Sequence, residues 1–304
     1  MNLEREILKT LAFYSVFDFP LTAFEIYKNL GAPAKLDEVC VAIDTLKSNS
    51  LVKDKNGYYF LPQKDSANPA EKRKARFLVS FKKLNRAKKI AWFLSYFPFV
   101  RFIGICNSLG YFNASDESDI DFFIIARRGR VWTARFFMAF FLKIFNLRPT
   151  LSFNRDRICL SFIIADDGLD ISAVKLDGGD PYFYHWFSWI MPLYGWKHYK
   201  NFIEANSWIK NYFPNFLGQG GIIVKKFSPF KMVIEKIFLA PQWEAALKAV
   251  QLRIMPKELK EAAASRTDKS VVINDKMLKF HLADKRKYYR DEFERISGSL
   301  NLKI

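Results

Sequence analysis

Histidine and cysteine are scarce in this chain, three of each, and that scarcity removes several chemistries. His185, His198 and His281 stand at no metal-ligand spacing from one another or from a cysteine, so a zinc site is not expected. Cys40, Cys106 and Cys159 are odd in number, far apart and set in apolar runs. No disulfide framework is expected, and the pattern suits a reducing, cytoplasmic setting. The one glycine-rich stretch, Gly218-Gln219-Gly220-Gly221, lacks the Gly-Lys-Ser/Thr of a Walker phosphate loop and reads as a linker. A long uncharged apolar run is missing as well. The most apolar segment, residues 131–147, carries Arg135 and Lys143 and is at the short limit for a span, so a buried helix is expected and stable membrane insertion is not. The aromatic block from Pro181 to Trp196 is interrupted by His185 and Pro192 and suits packing or a pocket wall. The charged opening MNLEREILKT reads as a helix rather than a signal peptide.

Half of the residues are apolar and 31 are phenylalanine, which implies a large core, and 304 residues are enough for two or three domains. Helical spacing predicts a first helix over 3–16. Thr22 with Glu25 forms a capping box for a second helix running to Leu30, and a third is expected over 36–49. Asn56-Gly57 then signals a hairpin between residues 51–54 and 58–61. Three helices and a hairpin resemble a winged helix, giving an expected N-terminal domain over 1–64. DNA binding is the usual use of that module, yet residues 1–66 hold eight Lys/Arg against nine Asp/Glu. The third helix carries Asp37, Glu38 and Asp44 against Lys47, so protein contact or positioning is the favoured role.

Basic charge is concentrated next. The chain has 48 Lys/Arg against 31 Asp/Glu, a net of +17, and residues 71–90 alone hold nine Lys/Arg and one Glu. Phe77, Leu78, Phe81, Leu84, Ala87, Ile90, Ala91 and Leu94 recur at near-helical period, so the expectation is an amphipathic helix with its apolar stripe on the core and cations outward. Such a face attracts nucleic acid or acidic lipid, or serves solubility alone.

The segment ICNSLGYFNASDESDIDFFII, residues 105–125, carries the chemistry. An apolar strand over 102–106 leads into a polar loop, Asn107 to Ser118, and a second strand, residues 119–126, opens with Asp119-Ile120-Asp121. Side chains i and i+2 of a strand share a face, so Asp119 and Asp121 project together. Two hard oxygen donors on one edge form half of a Mg²⁺ or Mn²⁺ site.

These residues resemble the nucleotidyltransferase superfamily that contains DNA polymerase β, whose signature is Gly-Ser, about ten residues, then Asp-X-Asp. Asn107-Ser108 stands ten residues before Asp119-Ile120-Asp121, with Asn107 in the usual glycine position, where asparagine tolerates a left-handed backbone. The resemblance implies an α+β fold: a nucleotidyltransferase core, a mixed sheet with flanking helices over 65–175 including the basic helix, followed by a mainly helical C-terminal domain over 176–304. It further implies that Asp119 and Asp121 are the catalytic metal ligands, that Ser108 with Asn107 and Gly110 holds the triphosphate of an NTP, and that NMP passes to an acceptor the sequence does not name. Arg127, Arg128, Arg130 and Arg135 are available to neutralise phosphate charge.

The family's third carboxylate, its general base, comes from a later strand. The strand expected over 157–165 has no acid, only Cys159 and Ser161 as small polar residues, and Asp166, Asp167 and Asp170 follow it. Either one of those three completes the site, or the chain is a two-carboxylate variant, or it binds nucleotide without turnover as a regulator. A peripheral membrane protein using the 71–90 helix is a further alternative.

Overall fold

The structure, a computed structural model, describes residues 2–62, 68–150, 152–221, 229–265 and 269–302; the boundary expected at 64/65 lies outside them. The chain opens with α1 (Leu3–Ser15), α2 (Ala23–Lys28), α3 (Leu36–Ser48) and a hairpin, β1 (Lys53–Lys55) and β2 (Tyr58–Phe60). Local chemistry starts each element. Asn2 accepts from the Glu4 and Arg5 N–H groups to cap α1, and Thr22 with Glu25 forms the reciprocal box at α2. Asn56 and Gly57 take φ of 55° and 77°, the left-handed pair that a two-residue hairpin turn requires. A bridge between Leu21 and Tyr59 ties the α1–α2 connection to the hairpin. The core of this unit, with Ile7, Leu11, Ile26, Val39 and Leu46, runs on into Trp189 and Phe293.

Next come α4 (Pro69–Leu94), β3 (Val100–Ile105), the single turn α5 (Asn107–Gly110), β4 (Ile120–Ala126), α6 (Val131–Ile144) and β5 (Ile158–Ala165). Then follow α7 (Pro181–Ser188), β6 (Met191–Tyr194), α8 (Trp196–Ala205), α9 (Pro229–Ile237), α10 (Pro241–Ile254), α11 (Lys257–Ala264), β7 (Val271–Ile273), β8 (Met277–Phe280) and α12 (Arg286–Ser299). The mixed sheet has the order β6-β3-β4-β5-β8-β7, with β4 and β5 parallel and the other pairs antiparallel. Its central strands are covered on both faces, which is why they read as unbroken apolar runs. Ile103, Ile120, Phe122, Ile124 and Ile163 pack on α4 and α6. Phe102, Phe123, Ile125, Phe162 and Ile164 pack on the aromatic rows of α7 and α8. The segment after residue 176 is mainly helical and also supplies β6, β7 and β8, half of the six strands, so the sheet crosses the 175/176 boundary. Among the described residues no helix is long and apolar enough to cross a membrane.

The basic helix departs from its expected orientation. Leu84, Ala87, Ala91 and Leu94 are buried, but Phe77, Leu78 and Phe81 are 42%, 56% and 49% exposed, while Arg73, Ser80 and Lys83 face inward. At about 100° per residue Leu78 stands well over a quarter turn from the buried line, whereas Phe77 lies close to it, two turns before Leu84, and is exposed because the sheet does not reach that far along the helix. The cause lies in what each half of α4 meets. The second half lies on the sheet, whereas the first half meets acids and backbone carbonyls. Arg73 pairs with Glu25 at 2.7 Å and stacks over Phe19; Lys72 pairs with Asp18 at 2.6 Å; Arg76 donates to the Phe17 carbonyl and to Asn113 Oδ1.

Candidate metal centre

The centre is built where β3 and β4 meet. After β3 the backbone turns at Asn107 with φ of 54°, the left-handed conformation for which asparagine substitutes for glycine. The Cys106 N–H donates to the Asp121 carbonyl at 3.1 Å, so α5 starts beside Asp121. The loop back to β4 is held from outside. Ser80 Oγ accepts from the Ala114 N–H at 3.0 Å. Lys83 Nζ donates to the carbonyls of Asp116 at 2.9 Å and Ser118 at 2.8 Å and to Asp156 Oδ1 at 2.7 Å. The inward lysine of α4 thereby fixes the backbone that delivers Asp119, one residue before β4 begins.

Asp119, Asp121 and Cys159 come together, with ligand atoms all within 4.8 Å of one another. Cys159 is delivered by register: it is the partner of Asp121 in the parallel β4–β5 pair. Neither carboxylate has an ion pair among the described residues. Burial pushes the Asp121 carboxyl up to about 7, and the charge of Asp119 adds to the rise, against contacts from the Asn107 amide and the Cys159 thiol. Asp119 is raised by burial, an effect offset by its own backbone N–H and by the charge of Lys83. The Cys159 thiol is pushed far up by burial and by both carboxylates, so it is neutral at physiological pH. Two adjacent half-buried carboxylates with no ion pair among the described residues are costly to ionise together. Their oxygens are hard donors of the kind a divalent ion takes, and a neutral thiol is a weak third donor.

The other expected participants separate into near and far groups. Ser108 lies in the α5 turn and its carbonyl accepts from Asn113 N–H at 2.8 Å. Gly110 is in the same turn but faces protein: a Cβ there would sit 2.7 Å from the Trp189 carbonyl oxygen, which accounts for the glycine by packing. Asp166 accepts from the Arg128 N–H at 2.8 Å, Asp167 lies 3.8 Å from Lys276, and Asp170 accepts from the Ser172 N–H at 2.8 Å. They follow the end of β5, where Ala165 pairs with Ala126, whereas Asp121 sits at the start of β4. A seven-residue strand puts about 20 Å between those ends, so none of the three acids completes the centre. Arg127, Arg128 and Arg130 share that far end.

Two features were not legible in the chain. Cys159 read as a core cysteine, and only the strand register sets it beside Asp121. Lys83 read as an outward cation. Next to the centre, a cavity of about 210 Å³ opens at Asn107 and is walled by Phe162, Tyr182, Trp186, His281 and Tyr289. The chain matches no family model, no curated protein and no solved structure.

Proposed function

We propose that this protein is a divalent-cation-dependent nucleotidyltransferase that moves NMP from an NTP to an acceptor. The observation that carries the reading is the pair Asp119 and Asp121, half-buried, without an ion pair among the described residues and clustered with Cys159, beside the turn at Asn107 whose amide contacts Asp121. The antiparallel β3–β4 pair followed by a parallel β5 supports a nucleotidyltransferase core. When bound, Mg²⁺ or Mn²⁺ would neutralise phosphate charge and polarise the reacting phosphoryl group. Asp119 and Asp121 would hold it, with Asp121 losing the proton that burial, helped by the charge of Asp119, favours. Asn107 contacts Asp121, and the Ser108 turn would orient the phosphates. Catalysis on this reading comes from positioning and charge.

One observation favours a second reading. The strand position beside Asp121 holds a neutral thiol and no carboxylate, so a regulator that binds nucleotide without turnover lacks only the general base. The N-terminal unit, winged-helix-like in element order, fits protein contact better than DNA. Its α3 carries Asp37, Glu38 and Asp44, and its Lys47 is paired with Asp54 at 2.9 Å. Basic α4 is a weaker nucleic-acid face than its composition suggests, because Lys72, Arg73, Arg76, Lys83 and Arg86 are engaged within the protein.

The test is pyrophosphate release and α-phosphate label transfer from each of the four NTPs with Mg²⁺ or Mn²⁺, wild type against Asp119→Asn/Asp121→Asn. Activity lost in the double variant supports transfer. Tight Mg-NTP binding with no transfer to any acceptor supports the regulator.

A further inference from the structure

A groove of about 690 Å³ runs between α6 and α10–α11 and ends on β5 at Cys159 and Ser161. That volume lies within the roughly 300–1,000 Å³ typical of ligand pockets. Its walls are aliphatic and aromatic, with Phe136, Ala139, Phe140, Leu160, Ile254 and Leu259 prominent among them, and no Asp or Glu lines it. Three cations do: Arg135, Lys143 and Arg148. None of them has an ion pair among the described residues. Arg135 donates to Gln251 Oε1 at 2.6 Å and lies over the Phe280 ring, while its buried Nε has no partner. Burial and the nearby charge of Arg148 push its guanidinium down to about 10, the response of a cation held without an anion. The lips of the groove are apolar as well: Phe140 and Ile254 are 54% and 76% exposed.

The pairing β5–β8 covers only residues 162–164 of β5, so at Cys159 and Ser161 the side of β5 away from β4 carries no strand partner among the described residues. Cys159 belongs both to the groove and to the cluster with Asp119 and Asp121. The absence of a general base there selects the acceptor. An alcohol must lose a proton as it attacks, whereas a phosphate monoester, with a second pKa of about 6, is already a nucleophilic dianion at neutral pH.

We propose that the groove binds a lipid carrying a phosphate monoester head, tail among the apolar walls and phosphate toward Arg135 and Arg148, and that this lipid phosphate is the NMP acceptor. A phosphate oxygen of the lipid attacks the α-phosphorus of the NTP; the bond from that phosphorus to the bridging oxygen breaks, pyrophosphate leaves, and a pyrophosphate-linked lipid nucleotide forms. In its acceptor role the inference rests on the transfer reading above; binding in the groove does not.

The experiment is calorimetric titration of the full chain with dodecyl phosphate below its micelle concentration, with dodecanol and inorganic phosphate as separate arms, followed by label transfer from α-labelled NTP. Arg148→Glu reverses the head charge and Ala139→Trp fills the groove, and melting curves check that both fold. The expected result is dodecyl phosphate binding at least tenfold tighter than either control, weakened at least tenfold by each substitution, with label appearing on the lipid. Binding that is absent, matched by dodecanol, or unchanged in both variants overturns the groove assignment. Label reaching only water-soluble acceptors overturns the lipid acceptor and leaves the transferase standing. Groove-dependent lipid binding without transfer from any NTP to any acceptor overturns the transferase reading and the acceptor role with it.

Discussion

Cys159 is the register partner of Asp121 across the parallel β4–β5 pair, which puts a neutral thiol, not a third acid, beside the two carboxylates. The thiol adds a soft donor beside two hard ones, so metal preference depends on it. Cys159→Ala is expected to lower Zn²⁺ or Cd²⁺ affinity about tenfold, about 1.4 kcal/mol, and to leave Mg²⁺ affinity nearly unchanged. Cys159→Asp is expected to raise Mg²⁺ and Mn²⁺ affinity. Metal titration by calorimetry reads both, and equal Zn²⁺ affinity in wild type and Cys159→Ala would remove the thiol from the centre.

The raised Asp121 carboxyl fixes the sign of a pH effect. In metal-free protein the folded state retains a proton at Asp121 up to about 7, while the unfolded chain releases it near 4. This group therefore costs stability increasingly as pH rises from about 4 to 7. Asp121→Asn is expected to melt a few degrees higher than wild type at pH 8 in chelator and to match it near pH 4. Added Mg²⁺ should raise the wild-type melting temperature and not that of the variant.

Two imidazoles, His185 buried and His281 half-buried, act in the other direction. His185 stacks on Phe13 at 3.8 Å and shares a hydrogen bond with the Tyr14 hydroxyl, and burial holds its pKa well below the ordinary value. His281 is lowered to about 4, chiefly by burial. Both favour the fold when neutral, so stability is retained above about 6.5 and lost as pH falls through that value; for His281 the full loss is about 3 kcal/mol. His281→Phe, monitored by urea unfolding at pH 7.5 and 5, should flatten the decline. An unchanged slope would contradict the assignment.

Lys83 has a structural effect that should reach the metal. Lys83→Met takes the ammonium donor from the Asp116 and Ser118 carbonyls and from Asp156, leaving Ser118 only the Asp156 N–H, and is expected to cost about 2–4 kcal/mol. It should also weaken Mn²⁺ binding by loosening the approach to Asp119. Lys74→Glu, on the outer face of the same helix, should change stability by less than about 0.5 kcal/mol. Paired urea melts and Mn²⁺ titrations make the comparison.

Salt dependence measures how many α4 cations remain free. With five of the nine engaged internally, Lys74, Lys82, Lys88 and Lys89 are left, so any RNA binding through this helix should show a slope of log K against log salt no steeper than about −3 for a single strand. A much steeper slope would require another basic surface.

Short-range relations were fixed by the chain alone. The capping box at Thr22 and Glu25, the left-handed Asn56-Gly57 turn, the strands around residues 100–126 and 158–165, and the shared side of Asp119 and Asp121 each depend on neighbours within about four positions, where backbone periodicity dictates the outcome. What the side chains meet across the fold was decided by tertiary structure. Helix α8 ends at Asn206, whose amide bonds the Leu169 and Ile171 backbone from a distant loop. The apolar period of α4 suggested inward Phe77 and Phe81; acids and carbonyls from 18, 25, 116 and 118 turned the cations inward instead. Asp166, Asp167 and Asp170 are close in sequence to the strand that borders the centre, but they leave its opposite end. The position of Cys159 depends on β5 pairing in parallel with β4 after a connection of more than thirty residues. Such register is set by the packing of both sheet faces at once, a many-body condition that no local pattern of residues contains.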